Sequence, residues 1–126
     1  TLNVDEAVTL DTTLDVTGIA TALSFVTSSD RRLKNDISYI NNPLELIKKI
    51  RPRNYSLKAD GESTMKMGVI AQELETILPN LVIGDVEKGM LSVDYTSFIG
   101  LLIAGMQEQQ KAIEELKEEI NNLKIN

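Results

Sequence analysis

The chain has 126 residues, 42% of them hydrophobic, and its 19 acidic against 13 basic side chains give a formal charge of −6. That length supports one modest domain resting mainly on Leu, Ile, Val and Met, since there are two Phe, three Tyr and no Trp, and chains this small are often helped by oligomerisation. The charge offers no global attraction to nucleic acid or an anionic membrane, so neither is expected as a partner; the absence of Cys and His removes disulfides, thiolate nucleophiles, cysteine metal sites, imidazole bases and the Ser-His-Asp triad. Any general base must then be a carboxylate, a lysine of lowered pKa or a group brought by another molecule. No cofactor and no metal site is expected.

Residues 1–27, "TLNVDEAVTLDTTLDVTGIATALSFVT", contain no Lys, Arg or Pro. Apolar residues alternate in short pieces, as in Leu14 and Val16 or Leu23 and Phe25, with Asp and Gly between them as turn formers. This predicts several very short strands that need neighbours. They read either as the edge of an ordinary all-β domain or as the end of an intertwined β-stalk in which three chains supply one another's edges.

Residues 28–94 read as a compact α+β unit with roughly two helices and a few antiparallel strands. "NPLELIKKIRPRNYSLK" has Asn42 as an N-cap candidate and Pro43 at the first helical position; Leu44, Ile47 and Ile50 follow at three-residue spacing, and Pro52 ends the helix. "RNYSLK" places Tyr55 and Leu57 on one strand face, and "ADGES" reads as a polar turn. "MKMGVIAQELETILPN" carries Ile70, Leu74, Ile77 and Leu78 in helical periodicity up to Pro79. "LVIGDVEKGMLSVDY" predicts a hairpin, with Leu81, Val82 and Ile83 on one arm and Met90, Leu91 and Val93 on the other.

Residues 95–126 hold the strongest periodic signal. Ile99, Leu102, Met106, Gln109, Ile113, Leu116, Ile120 and Leu123 alternate by three and four residues. They fill the a and d positions of a heptad repeat, a at Ile99 and d at Leu102. The narrow seam after Gln107 fits a coiled coil better than the broad stripe of a helix packed on its own core. Glu119 at g and Lys124 at the following e can pair between parallel chains. Ile at a with Leu at d leans toward two strands, while the polar Gln109 is compatible with more than one state, so periodicity gives association without the number of chains.

"SSDRRLKND", residues 28–36, sits at the junction of the β-rich segment and the mixed unit. On composition it reads as a polar linker in which Ser28, Ser29 or Asp30 caps a helical turn and Arg31, Arg32 and Lys34 are solvated. It also reads as a catalytic segment, with Ser29 as nucleophile and Lys34 as general base, because neutral lysine can activate a hydroxyl where no imidazole exists. A lysine starts near pKa ~10.4 and must be lowered by desolvation and neighbouring positive charge, which Arg31 and Arg32 could supply. Asp30 would oppose this unless turned toward an arginine or a backbone donor. In a continuous α-helix, residues five apart point roughly 140° away from each other. Ser29 must therefore precede the helix or lie at its start, or the lysine must come from a neighbouring chain.

"SSDRRLKNDI", "IKKIRPRNYSLK", "GVIAQELETILP" and "SVDYTSFIGLLIAGMQEQQKAIEEL" together resemble the C-terminal intramolecular chaperone domain of the S74 peptidase family, over about residues 28–126. Such domains end bacteriophage tail spikes, tail fibres, neck appendages and endosialidases. The resemblance implies a homotrimer of identical chains that drives folding of the β-rich fibre upstream and then releases itself. It puts the family's nucleophile on Ser29 and its lysine on Lys34, with the scissile bond at Ser28-Ser29, and "AQE" on Ala71, Gln72 and Glu73, read as a fold element. It further implies assembly in the host cytoplasm, with the upstream product in the virion. The alternative on the same fold is a non-cleaving trimerisation or tip domain.

Overall fold

The computed structural model describes residues 1–61, 64–84, 87 and 89–125. The chain forms two compact units, Thr1–Ile37 and Ser38–Asn126.

In the first unit no strand forms over residues 1–27, and Leu14, Leu23 and Phe25 are exposed. The expected short strands are therefore absent from the single chain. The reason is physical: a strand's backbone hydrogen bonds need a neighbouring edge, and segments this short lack the apolar surface to hold one in place. The one helical element of this unit is a single 3-10 turn, Arg31–Leu33.

The second unit carries the mixed fold. Helix α1, Pro43–Lys49, begins with proline at its first position and ends ahead of Pro52. Asn42 stands at the N-cap position with φ 51° and makes no side-chain cap bond. The free amide of Leu44 instead donates to Glu108 Oε2, 3.2 Å away, a carboxylate 64 residues along the chain. Strand β1, Arg53–Tyr55, pairs antiparallel with β2, Lys66–Gly68, in the register Asn54 opposite Met67. Leu57 lies beyond β1 and leads into a 3-10 turn, Lys58–Asp60, so it does not share the strand with Tyr55. The rest of the expected "ADGES" turn runs partly outside the described residues.

Helix α2, Ala71–Glu75, is shorter than its periodicity suggested. Ile70 is extended at its start, and Leu78, ahead of Pro79, is held outside the helical region at φ −133°, ψ 71°. Leu74 nevertheless forms the centre of the core, only 1% exposed. Strands β3, Val82–Ile83, and β4, Ser92–Val93, form the expected hairpin with Val82 opposite Val93; part of its turn lies outside the described residues.

Asp94 accepts hydrogen bonds from Thr96 Oγ1 (2.7 Å) and Ser97 Oγ (2.6 Å), bracing the 3-10 turn Tyr95–Ser97 that leads into helix α3, Phe98–Ile125. These hydroxyls, Ser97 first, hold the Asp94 carboxyl below its ordinary range. At 28 residues α3 is about 42 Å long. It packs on α1, with Gly105 against Ile47 and Leu44, and its buried residues are Leu101 and Gly105. A side chain at Gly105 would collide with Ile47, so the missing Cβ lets the two helices approach closely. The heptad residues Ile99, Leu102, Met106, Ile113, Leu116, Ile120 and Leu123 are all exposed, roughly a quarter turn around the helix from the buried pair.

Candidate functional site

The segment around Ser29 is shaped by one carboxylate. Asp30, extended at φ −62°, ψ 137°, is the N-cap of the turn Arg31–Leu33, and its Oδ1 accepts from the Arg32 backbone amide at 2.8 Å. The Arg32 side chain folds back onto the same group, Nε to Oδ1 and Nη2 to Oδ2, each at 3.0 Å. Both carboxylate oxygens are thus engaged in a bidentate pair. The Arg32 guanidinium first, and its amide second, hold the Asp30 carboxyl below the ordinary aspartate range.

The turn closes with Leu33 N donating to Asp30 O at 3.0 Å and Lys34 N to Arg31 O at 3.1 Å. Lys34 then leaves in extended conformation, φ −120°, ψ 142°. Ser29 and Lys34 lie on either side of this one tight turn, so the α-helical separation of about 140° does not apply. Lys34 Nζ donates to Ser29 Oγ at 2.5 Å. The two side chains singled out in the sequence are brought together within one chain. As a neutral amine, the same nitrogen would accept the serine proton.

Asp30 is turned away into its arginine pair, the arrangement in which it competes least for Lys34. Ser28, Ser29, Arg31 and Lys34 are all exposed in the single chain. The detail that sequence spacing left open is the identity of Asp30's partner. An aspartate two residues before an arginine at a helix start is the signal that could have found it.

The "AQE" stretch occupies the first turn of α2, where Glu73 accepts from Arg53 Nη2 at 2.7 Å and Nε at 3.2 Å. This pair ties α2 to β1, and Arg53 holds the Glu73 carboxyl below its ordinary range. Nearby, Tyr95 receives the Val69 amide on its hydroxyl at 3.1 Å, over Gly68, where an added Cβ would meet that hydroxyl at 2.5 Å. These side chains brace the mixed unit.

Residues 29–83 match the family Peptidase S74, described as the chaperone of endosialidase, and the match starts at the serine of this pair. Over those residues the chain is similar to an S74 peptidase chaperone domain. Two curated relatives of the chain are long tail fiber proteins Gp37. That of Salmonella phage S16 is 34% identical over 105 residues, covering 77% of this chain and 14% of the relative. That of Escherichia phage AR1 is 40% identical over 87 residues, covering 64% of this chain and 8% of the relative. The chain thus spans a small part of the fibre proteins it resembles. The S74 match takes in the Ser29-Lys34 pair, α1, α2 and the β1-β2 pair, and it stops before α3.

Proposed function

We propose that the chain is a self-cleaving intramolecular chaperone of a phage fibre or appendage, which associates as a homotrimer through the α3 seam and cuts its own Ser28-Ser29 bond. The observation that carries the cleavage is the contact of Lys34 Nζ with Ser29 Oγ at 2.5 Å, with Asp30 held off by Arg32. Ser29 Oγ attacks the Ser28 carbonyl carbon while Lys34 takes its proton. The C–N bond breaks, and that proton passes to the departing nitrogen, which becomes the free amine of Ser29. The resulting ester between Ser28 and the Ser29 side chain is hydrolysed by water, restoring the hydroxyl and leaving a carboxylate on Ser28.

Each chain turns over once. Cleavage serves folding, because the stalk then no longer carries the domain whose association helped to form it, which converts an equilibrium into kinetic stability. The open surroundings of the pair in the single chain tie chemistry to assembly: desolvation favours neutral lysine, and neighbouring chains are what can exclude water there.

The same exposure favours a second reading, a trimerisation or tip domain that does not cut. The two are separated with a chain that includes the complete upstream stalk. Ser29→Ala and Lys34→Ala each abolish release of fragment 29–126 while sedimentation still gives a trimer. Absence of cleavage in the parent as well would leave the structural reading.

A further inference from the structure

We infer that an apolar hollow beside α3 is the socket into which Ile103 of a second copy of this chain inserts; the inference rests on the homotrimer proposed above, with its α3 helices running parallel. The hollow, about 380 Å³, is lined chiefly by Ile47, Ile50, Met67, Tyr95, Phe98 and Leu102. Phe98, braced by the Tyr95 ring at a centroid distance of 5.9 Å, and Leu102 also border the exposed heptad seam. A partner helix on that seam therefore lies across the mouth of the hollow.

The heptad register says which residue arrives there. With a at Ile99, Phe98 is at g, and in a parallel coiled coil a g residue faces the partner's e residue five positions on, which is Ile103. The later e positions are Gln110, Lys117 and Lys124; Ile103 is the apolar one, and it stands at the level of the hollow. On its own chain Ile103 is 52% exposed, so its packing is incomplete in the monomer. The chain thus presents a socket on one flank of α3 and its complement on the other, the pattern that closes into a ring of copies. A small ligand would not account for an apolar e position confined to this one heptad.

The test uses the cysteine-free background of the chain. Met67→Cys and Ile103→Cys chains are mixed in equal amounts and treated with a short bismaleimide, and the association constants of the parent and Ile103→Ala are measured by sedimentation equilibrium. Alanine is the strongest helix former, so a loss of association is not a loss of helix. We expect cross-links joining position 67 of one chain to 103 of another, and association weakened at least about tenfold in Ile103→Ala. A parent that associates normally, with no 67-to-103 cross-link and an unchanged constant in Ile103→Ala, overturns the socket while leaving the oligomer intact. A monomeric parent overturns both, and that is seen before any variant is made.

Discussion

Replacing Lys34 by arginine separates a proton acceptor from a mere positive charge. Arginine keeps the cation and can still donate to Ser29 Oγ across the turn that sets the pair 2.5 Å apart. It cannot readily give up a proton: ordinary lysine and arginine differ by roughly two units or more, so at any common pH the neutral fraction drops by at least about 100-fold. General-base assistance is itself worth about 10²–10⁴ in rate. Asp30 is a poor substitute base, because both of its oxygens are held by Arg32 and its carboxyl lies below the usual range. Release of fragment 29–126 from a stalk-bearing chain, followed by intact-mass spectrometry after translation is stopped, therefore slows at least about 100-fold in Lys34→Arg, with Lys34→Ala no faster. Sedimentation of the uncleaved variants should show unchanged assembly. A Lys34→Arg chain cleaving at the parental rate would refute the base role and leave Lys34 as a positioning cation.

Ser28→Ala should cleave at close to the parental rate, because Ser28 supplies only a backbone carbonyl; a lost fragment in this variant would bring its hydroxyl into the chemistry. Leu116→Asp sets like charges into one layer of the proposed seam, and gel filtration should show a shift to lower mass with poor folding of the upstream segment. Leu74→Ala, at the 1% exposed centre of the mixed unit, should cost about 2–5 kcal/mol in denaturant unfolding. The Glu73 carboxyl is held low in the folded chain by Arg53, so its contribution to stability is present above the unfolded value and lost as pH falls through the lower folded one. Carboxyl NMR should place its midpoint below that of ordinary glutamate, and Arg53→Gln should move it upward.

The elements readable in the sequence are those whose signals are local. Pro43 and Pro52 bracket α1, the three-and-four spacing from Ile99 to Leu123 marks α3, and the apolar arms at Val82 and Val93 pair as a hairpin. What was not readable depends on distant residues. Glu108 caps α1 across 64 positions, displacing Asn42 from that role, and no local pattern encodes it. The periodicity around Leu74 overstated α2, because periodicity counts Ile70 and Leu78 while the backbone at each is non-helical. The strands expected before Thr27 require edges that one chain does not provide. At the candidate site, the residue types were legible but their meeting was not, since a single 3-10 turn brings together side chains that an α-helix would hold apart.

The proposed chemistry is positional, and the most direct measurement is the N-terminal residue of the fragment released from trimers of a stalk-bearing chain. N-terminal sequencing with intact mass should find one product beginning at Ser29, present in the parent and absent from Ser29→Ala. A product beginning at any other residue, or the same product from Ser29→Ala, would contradict the account.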